Sequence, residues 1–128
     1  MKLYIIRHGE TSWNKAKKLQ GRKDIMLDAD GIRLAELTGE GMKDIEFDLV
    51  ISSPLMRARQ TAELVLAGRE IPMITDKRII EMSFGKWEGE SVRHSEIVTE
   101  EFADKFFHDP YHCPKAPGGE SFRDVLER

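Results

Sequence analysis

The first apolar run, residues 3–6 (LYII), stops abruptly at Arg7. It is short, β-branched and aromatic, which predicts a buried strand. Residues 47–52 (FDLVIS) and 71–75 (IPMIT) predict two more strands. Between them the hydrophobic period becomes helical. Asp28-Ala29-Asp30-Gly31 offers a helix start, with Ile32, Leu34, Ala35 and Thr38 at imperfect helical spacing. Gly39 and Gly41 weaken its end and place the stop near Met42. The clearest helix has Ser53 as N-cap, Pro54 at its first position and Gly68 just past its end. Leu55, Ala58, Ala62, Val65 and Leu66 line one face of it.

The remaining segments are less regular. Residues 11–27 are polar and basic and predict loop with irregular helix. Lys15, Lys17 and Lys18 form a solvated face there. Residues 79–87 form a connection with buried apolar groups. A helix over 95–107 places Val98, Phe102 and Phe106 on one face and ends at Asp109-Pro110. Residues 111–119, with Pro114, Pro117 and a glycine pair, predict a loop. Ser121 opens a last helix, with Asp124 in a capping-box position and Phe122, Val125 and Leu126 to bury. Strand and helix alternate, which predicts an α/β sandwich with a mostly parallel sheet and right-handed crossovers. The chain has 128 residues, which suits one domain spanning 1–128.

Composition narrows the function. Hydrophobic residues make up 40% and charged residues 34%, which excludes a disordered chain. The net charge of −3 lacks the basic footprint of a nucleic-acid binder. It leaves room for a small anionic substrate held by a local arginine cluster. No apolar run is long enough to span a membrane, and the N-terminus enters a strand without a signal-peptide core. The single cysteine, Cys113, permits no intrachain disulfide; it is read as structural or incidental, and a cytoplasmic protein is expected.

Candidate chemistry gathers where the first strand ends. Arg7, His8 and Gly9 follow residues 3–6 directly, and ligands collect at the carboxyl edge of open α/β sheets. A neutral imidazole can attack phosphorus, and a guanidinium binds phosphate oxygens through a planar fork of donors. Taken alone, a histidine is more often a partly buried group bonded to a backbone carbonyl. Its place at a strand end beside Arg7 and Gly9 favours a functional role. Arg57 and Arg59 lie in the first turns of the second helix, whose amide end favours anions. Arg57 is expected in a phosphate clamp there and Arg59 at the surface. Glu81, between Ile80 and Met82, is a candidate proton donor if that apolar setting raises its pKa. From sequence context alone, a solvated loop carboxylate is the better description of it.

Several motifs together resemble the histidine phosphatase superfamily, which includes the cofactor-dependent phosphoglycerate mutases. The pieces are RHGET at 7–11, Asn14, LQGRKD at 19–24, SSPLMRARQTAE at 52–63, EMSFGKWEG at 81–89 and PGGES at 117–121. They follow the family's order over nearly the whole chain. The resemblance implies a three-layer α/β/α sandwich of the phosphoglycerate mutase type. It implies that His8 is the nucleophile that becomes phosphohistidine and that Arg7 and Arg57 bind the phosphoryl group. Glu81 would protonate the leaving oxygen. Asn14 and Ser121 would border the pocket, with Gln20 and Gly21 in a loop near it. No metal or organic cofactor is implied, and the partner would be a small phosphorylated substrate, with no nucleic acid or membrane.

The activity implied is phosphoric monoester hydrolysis, because LQGRKD and SFGKWEG resemble the small members such as α-ribazole and broad-specificity phosphatases. A phosphoglycerate mutase is the alternative. The family's second histidine, on a strand of the form V-x-H-G, has no counterpart here. His94, His108 and His112 stand in other contexts and are expected to be solvated. The domain is thus expected to be incomplete at its C-terminus. The family strand so missing lies between the RHG and SSPL strands. Its absence would leave residues 3–6 to pair directly with 47–52, or to expose an edge that favours self-association. The missing histidine also raises a third reading, a non-catalytic phosphate-binding or interaction module.

Overall fold

The computed structural model describes Met1–Arg128. Its elements in order are α1 (Ser12–Lys15), α2 (Ala29–Gly41), β1 (Val50–Ser52), α3 (Met56–Leu66), β2 (Met73–Thr75), α4 (Glu100–His108) and α5 (Phe122–Glu127), with short 3₁₀ turns between. They fall into two units. The first comprises Met1–Ser12 and Asp24–Ile79, the second Trp13–Lys23 and Ile80–Arg128.

The first unit is built on a β–α–β connection. β1 and β2 pair in parallel, with Val50 opposite Met73, Ile51 opposite Ile74 and Ser52 opposite Thr75, and α3 joins them. The strands are shorter than 47–52 and 71–75. Residues 3–6 form no strand at all. A strand exists as part of a hydrogen-bonded ladder, and here residues 3–6 pair neither with 47–52 nor with any other segment. Leu3 and Ile5 are accordingly 76% and 88% exposed. Tyr4 nevertheless packs edge-on against Phe47, with ring centroids 5.5 Å apart.

The helices of this unit differ from the predicted amphipathic faces. Asp28 is the N-cap of α2 as its sequence implies, and its Oδ1 accepts from Gly31 N at 2.9 Å. The buried face is Gly31, Ala35 and Gly39, whereas Leu34 and Leu37 are exposed. The reason is distance. A Cβ at Gly39 would lie 2.9 Å from the carbonyl oxygens of Leu64 and Val65, so at that position α2 approaches α3 with no side chain between them. α3 starts later than predicted, with Leu55 as N-cap and no side chain of its own capping it. Asp24 supplies the missing acceptor, taking Met56 N at 2.7 Å. Its buried residues are Arg57, Thr61, Val65 and Leu66, while Ala58 and Ala62 are half-buried. At the other end Ala67, with φ of 49°, and Gly68, with φ of 78°, turn the chain out of the helix. The Arg69 guanidinium donates to the Val65 and Leu66 carbonyls at 3.2 and 3.1 Å and to Ile45 O at 2.9 Å. A cation placed there complements the helix dipole.

The second unit has an aromatic core. Phe84, Trp87, Val98, Phe102, Cys113 and Ala116 are buried together, and Phe106 and Phe122 pack against them. Phe102 is the hub, 4.8 Å from Trp87 and 5.3 Å from Phe106 between ring centroids. α4 starts at Glu100 rather than 95, because Thr99 caps it by accepting from Phe102 N at 3.2 Å. The Ser95 hydroxyl donates to Glu90 instead, at 2.7 Å. Burial pushes the Cys113 thiol pKa up, as expected of a structural cysteine. Ser121 and Asp124 form the predicted reciprocal capping box of α5. No helix is long and apolar enough to cross a membrane.

Three outcomes are expected from this packing. Phe102→Ala should cost about 3–5 kcal/mol of stability in a denaturant melt, because it removes a hub ring that is 2% exposed. Arg78 holds the Asp76 carboxyl down to about 2 through side-chain and backbone hydrogen bonds. The native pKa is lowered, so this contribution to stability is complete above the ordinary value of 3.8 and is lost as pH falls through about 2. Carboxyl titration by NMR should show that value in the wild type and a return toward 3.8 in Arg78→Ala. The exposed Leu3, Ile5, Ile51 and Ile74 should make the 128-residue chain associate as its concentration rises. A single concentration-independent monomer in sedimentation velocity would exclude that.

Candidate functional site

The segment after residue 6 is held by backbone contacts on two sides. Gly9 has no room for a side chain, since a Cβ would lie 2.7 Å from Gly31 O. A Cβ at Gly31 would collide in turn with the Glu10 backbone. Asp28 N donates to Glu10 O at 3.0 Å, tying this segment to the start of α2. On the other side Gly9 N donates to Thr61 Oγ1 at 2.9 Å, tying it to α3. Thr61 Oγ1 donates to Arg57 O at 2.8 Å. The peptide beside His8 is thus one hydroxyl away from the backbone of Arg57.

His8 is half-buried, and its Nδ1 lies 2.7 Å from Gly9 O. A carbonyl oxygen only accepts, so Nδ1 carries the proton in the neutral ring. Nε2 then bears the lone pair, which is the atom a nucleophilic imidazole needs. Arg57 is 1% exposed. A guanidinium keeps its charge even when buried, and such a charge calls for polar or anionic company. Arg7 is exposed, and so is Arg59, which pairs with Glu63 at 3.6 Å. The amide end of α3 is already served by the Asp24 carboxylate.

The other sequence-predicted residues belong to the second unit. Asn14 lies in α1, and its carbonyl accepts from Lys17 N at 3.0 Å. Gln20 and Gly21 are buried. Gly21 has φ of 51°, and a Cβ there would collide with the Glu88 carboxylate. Glu88 Oε1 also accepts from Arg22 N at 3.0 Å and from Phe84 N at 3.2 Å. Glu81 is exposed, so Ile80 and Met82 do not give it an apolar setting. Its Oε1 accepts from the neighbouring Met82 N at 2.8 Å, and its carbonyl accepts from Arg22 Nε at 3.4 Å. The Ser121 hydroxyl caps α5, accepting from Asp124 N at 3.1 Å.

The structure therefore gathers Arg7, His8 and Arg57 in one unit and Asn14, Gln20, Gly21 and Glu81 in the other. Sequence reasoning missed Thr61, Asp24, Glu88 and Glu120. Glu120 accepts from Ser83 N at 2.9 Å and Arg22 Nη2 at 2.6 Å. All four lie inside the quoted motifs, and only their long-range partners set them apart. The group most suited to a cation is Glu10, Asp28 and Asp30, whose carboxylate oxygens lie within 4.8 Å of one another. One oxygen of Asp28 is committed to capping α2. No further observation points to an ion there.

The chain is 35% identical over its full length to a Proteus mirabilis protein described as a probable phosphoglycerate mutase, GpmB, of which it spans 59%. It is 42% identical over 85 residues to the uncharacterized phosphatase PhoE of Bacillus subtilis, covering 66% of this chain and 44% of that one. The solved α-ribazole phosphatase from Shigella flexneri superposes with a TM-score of 0.82 at 35% identity, over 95% of this chain and 60% of that chain. The fold is thus the α/β fold with a parallel sheet of the phosphoglycerate mutase-like proteins. The chain spans between 44% and 59% of the length of these two curated relatives. Residues 3–128 match the description of the histidine phosphatase superfamily, branch 1, and the chain belongs to that superfamily.

Proposed function

We propose that this chain carries the nucleophile-bearing part of a phosphoric monoester hydrolase that works through phosphohistidine at His8. The observation that carries the reading is the Nδ1–Gly9 O hydrogen bond of 2.7 Å, which leaves the Nε2 lone pair as the attacking atom. The names of PhoE and of the Shigella flexneri protein as phosphatases support the reaction class. In the first step Nε2 forms a bond to phosphorus as the ester P–O bond breaks, and the leaving oxygen takes a proton. In the second, water attacks the phosphoryl group and returns the imidazole to its neutral state. Arg57 and Arg7 neutralise the phosphoryl oxygens, electrostatic work that two guanidiniums can do as fixed charges. The parts assigned to Asn14, Gln20, Gly21 and Glu81, the last as proton donor, rest on their motifs alone.

The similarity to GpmB along the whole of this chain supports a second reading, a phosphoglycerate mutase, in which His8 would carry the phosphoryl group as well. The two differ in what receives the phosphoryl group. After a few seconds with p-nitrophenyl phosphate, intact-mass spectrometry should show one acid-labile phosphate on His8 in the wild type and none in His8→Ala. Loss of that phosphate to water, with inorganic phosphate released, marks the hydrolase. Priming by 2,3-bisphosphoglycerate with transfer to monophosphoglycerate marks the mutase. A wild-type chain that binds the ester but never acquires the label, and behaves as His8→Ala does, would leave only a phosphate-binding module.

A further inference from the structure

The hydrogen bonds at Thr61 carry more than the motif around it. Gly9 N donates to Thr61 Oγ1, and Thr61 Oγ1 donates to Arg57 O. Chemistry fixes both directions. An amide only donates and a carbonyl only accepts, so the one hydroxyl proton goes to Arg57 and a lone pair faces Gly9. A helical threonine often satisfies its hydroxyl on the carbonyl four residues back, and the Arg57 bond is that ordinary one. The Gly9 bond is different. It spans 52 residues and engages a buried amide directly beside His8. Thr61 itself is 6% exposed, which keeps bulk water from taking over as acceptor.

We infer that Thr61 is a positioning residue for His8, its hydroxyl fixing the orientation of Gly9 that lets the Gly9 carbonyl receive Nδ1–H. The inference rests on the reading of His8 as nucleophile. Removing Oγ1 leaves the Gly9 amide buried without its acceptor, a penalty the segment relieves by turning. The Gly9 carbonyl then leaves Nδ1, and the neutral ring is no longer confined to one tautomer. In part of the population Nε2 carries the proton and has no lone pair to attack with. Arg57 keeps its charge in either case, so capture of the ester is preserved while attack is slowed.

Thr61→Val removes the hydroxyl at nearly constant shape, and Thr61→Ser keeps it while removing the methyl. ¹⁵N NMR of the His8 imidazole should report the Nδ1–H tautomer in the wild type and in Thr61→Ser, and a mixture in Thr61→Val. With p-nitrophenyl phosphate, kcat should fall about tenfold in Thr61→Val, equivalent to roughly 1.4 kcal/mol, at unchanged KM, and recover in Thr61→Ser. An unchanged tautomer in Thr61→Val overturns the inference, and so does a Thr61→Ser variant as impaired as Thr61→Val, because packing of the methyl would then be the cause. If Thr61→Val does not fold, exchange protection of the Gly9 amide decides. It should persist in Thr61→Ser, and its loss there overturns the inference. If the wild type never acquires phosphate at His8, the hydrolase reading fails, while the tautomer comparison still tests Thr61.

Discussion

Everything in the first unit depends on how closely the backbone at Gly9 and Glu10 can approach two helices. Residue 9 must lack a Cβ because the carbonyl of Gly31 stands where one would be, and residue 31 must lack one because of Glu10. Two glycines far apart in sequence thus relieve one steric constraint from opposite sides. Their close contact brings the Gly9 amide within reach of Thr61 and the Glu10 carbonyl within reach of Asp28. The imidazole follows from that placement, because its Nδ1 partner is the carbonyl of the same clamped glycine. The Nδ1 contact of His8 is therefore the last link in a chain that begins with the absence of two methyl groups.

The second unit is organised by a different force. Edge-on and tilted rings around Phe102 supply its core, and its polar groups are arranged around two carboxylates. Glu88 gathers the amides of Arg22 and Phe84, and Glu120 gathers Ser83 N and the Arg22 guanidinium. Arg22 touches both and also the Glu81 carbonyl. The loop of Gln20 and Gly21 is thereby fastened to the segment that holds Glu81 by hydrogen bonds, in addition to the burial of Leu19 with Met82 and Phe84. A charged hydrogen bond contributes more than a neutral one, and its geometry is more exacting.

Local chemistry was legible in the sequence wherever the partners of an interaction lie within a turn of one another. Asp28 and the Ser121–Asp124 box were visible as caps because their acceptors and donors are three residues apart. The aromatic face of α4 was visible because its period matches the helix. What the sequence did not show depends on long-range partners. Hydrophobicity put Ala58 and Ala62 on the buried face of α3, yet Arg57 and Thr61 take that place, each burying polar atoms. Residues 3–6 have the composition of a strand, but composition cannot supply the neighbouring ladder, and without one no strand forms. The amide end of α3 suggested an open anion site, and Asp24, 32 residues away, already occupies its first donor. His8, Gly9 and Arg57 were singled out because RHG and SPLxR are contiguous motifs whose residue types fit one chemistry, and the structure places them in one unit, linked through Thr61.

The crossing of α2 and α3 also bears on which substitutions the unit tolerates. On α2 the buried positions are Gly31, against the Glu10 backbone, Ala35, and Gly39, against the α3 carbonyls, whereas Leu34 and Leu37 are exposed. A hydrophobicity profile therefore ranks this helix upside down. Its greasiest residues have space to vary in volume, and its smallest are fixed by the carbonyl oxygens they nearly touch. Evolution could recolour the outer surface of α2 freely, but one added carbon at Gly31 would collide with the backbone of Glu10, and one at Gly39 with the carbonyls of α3.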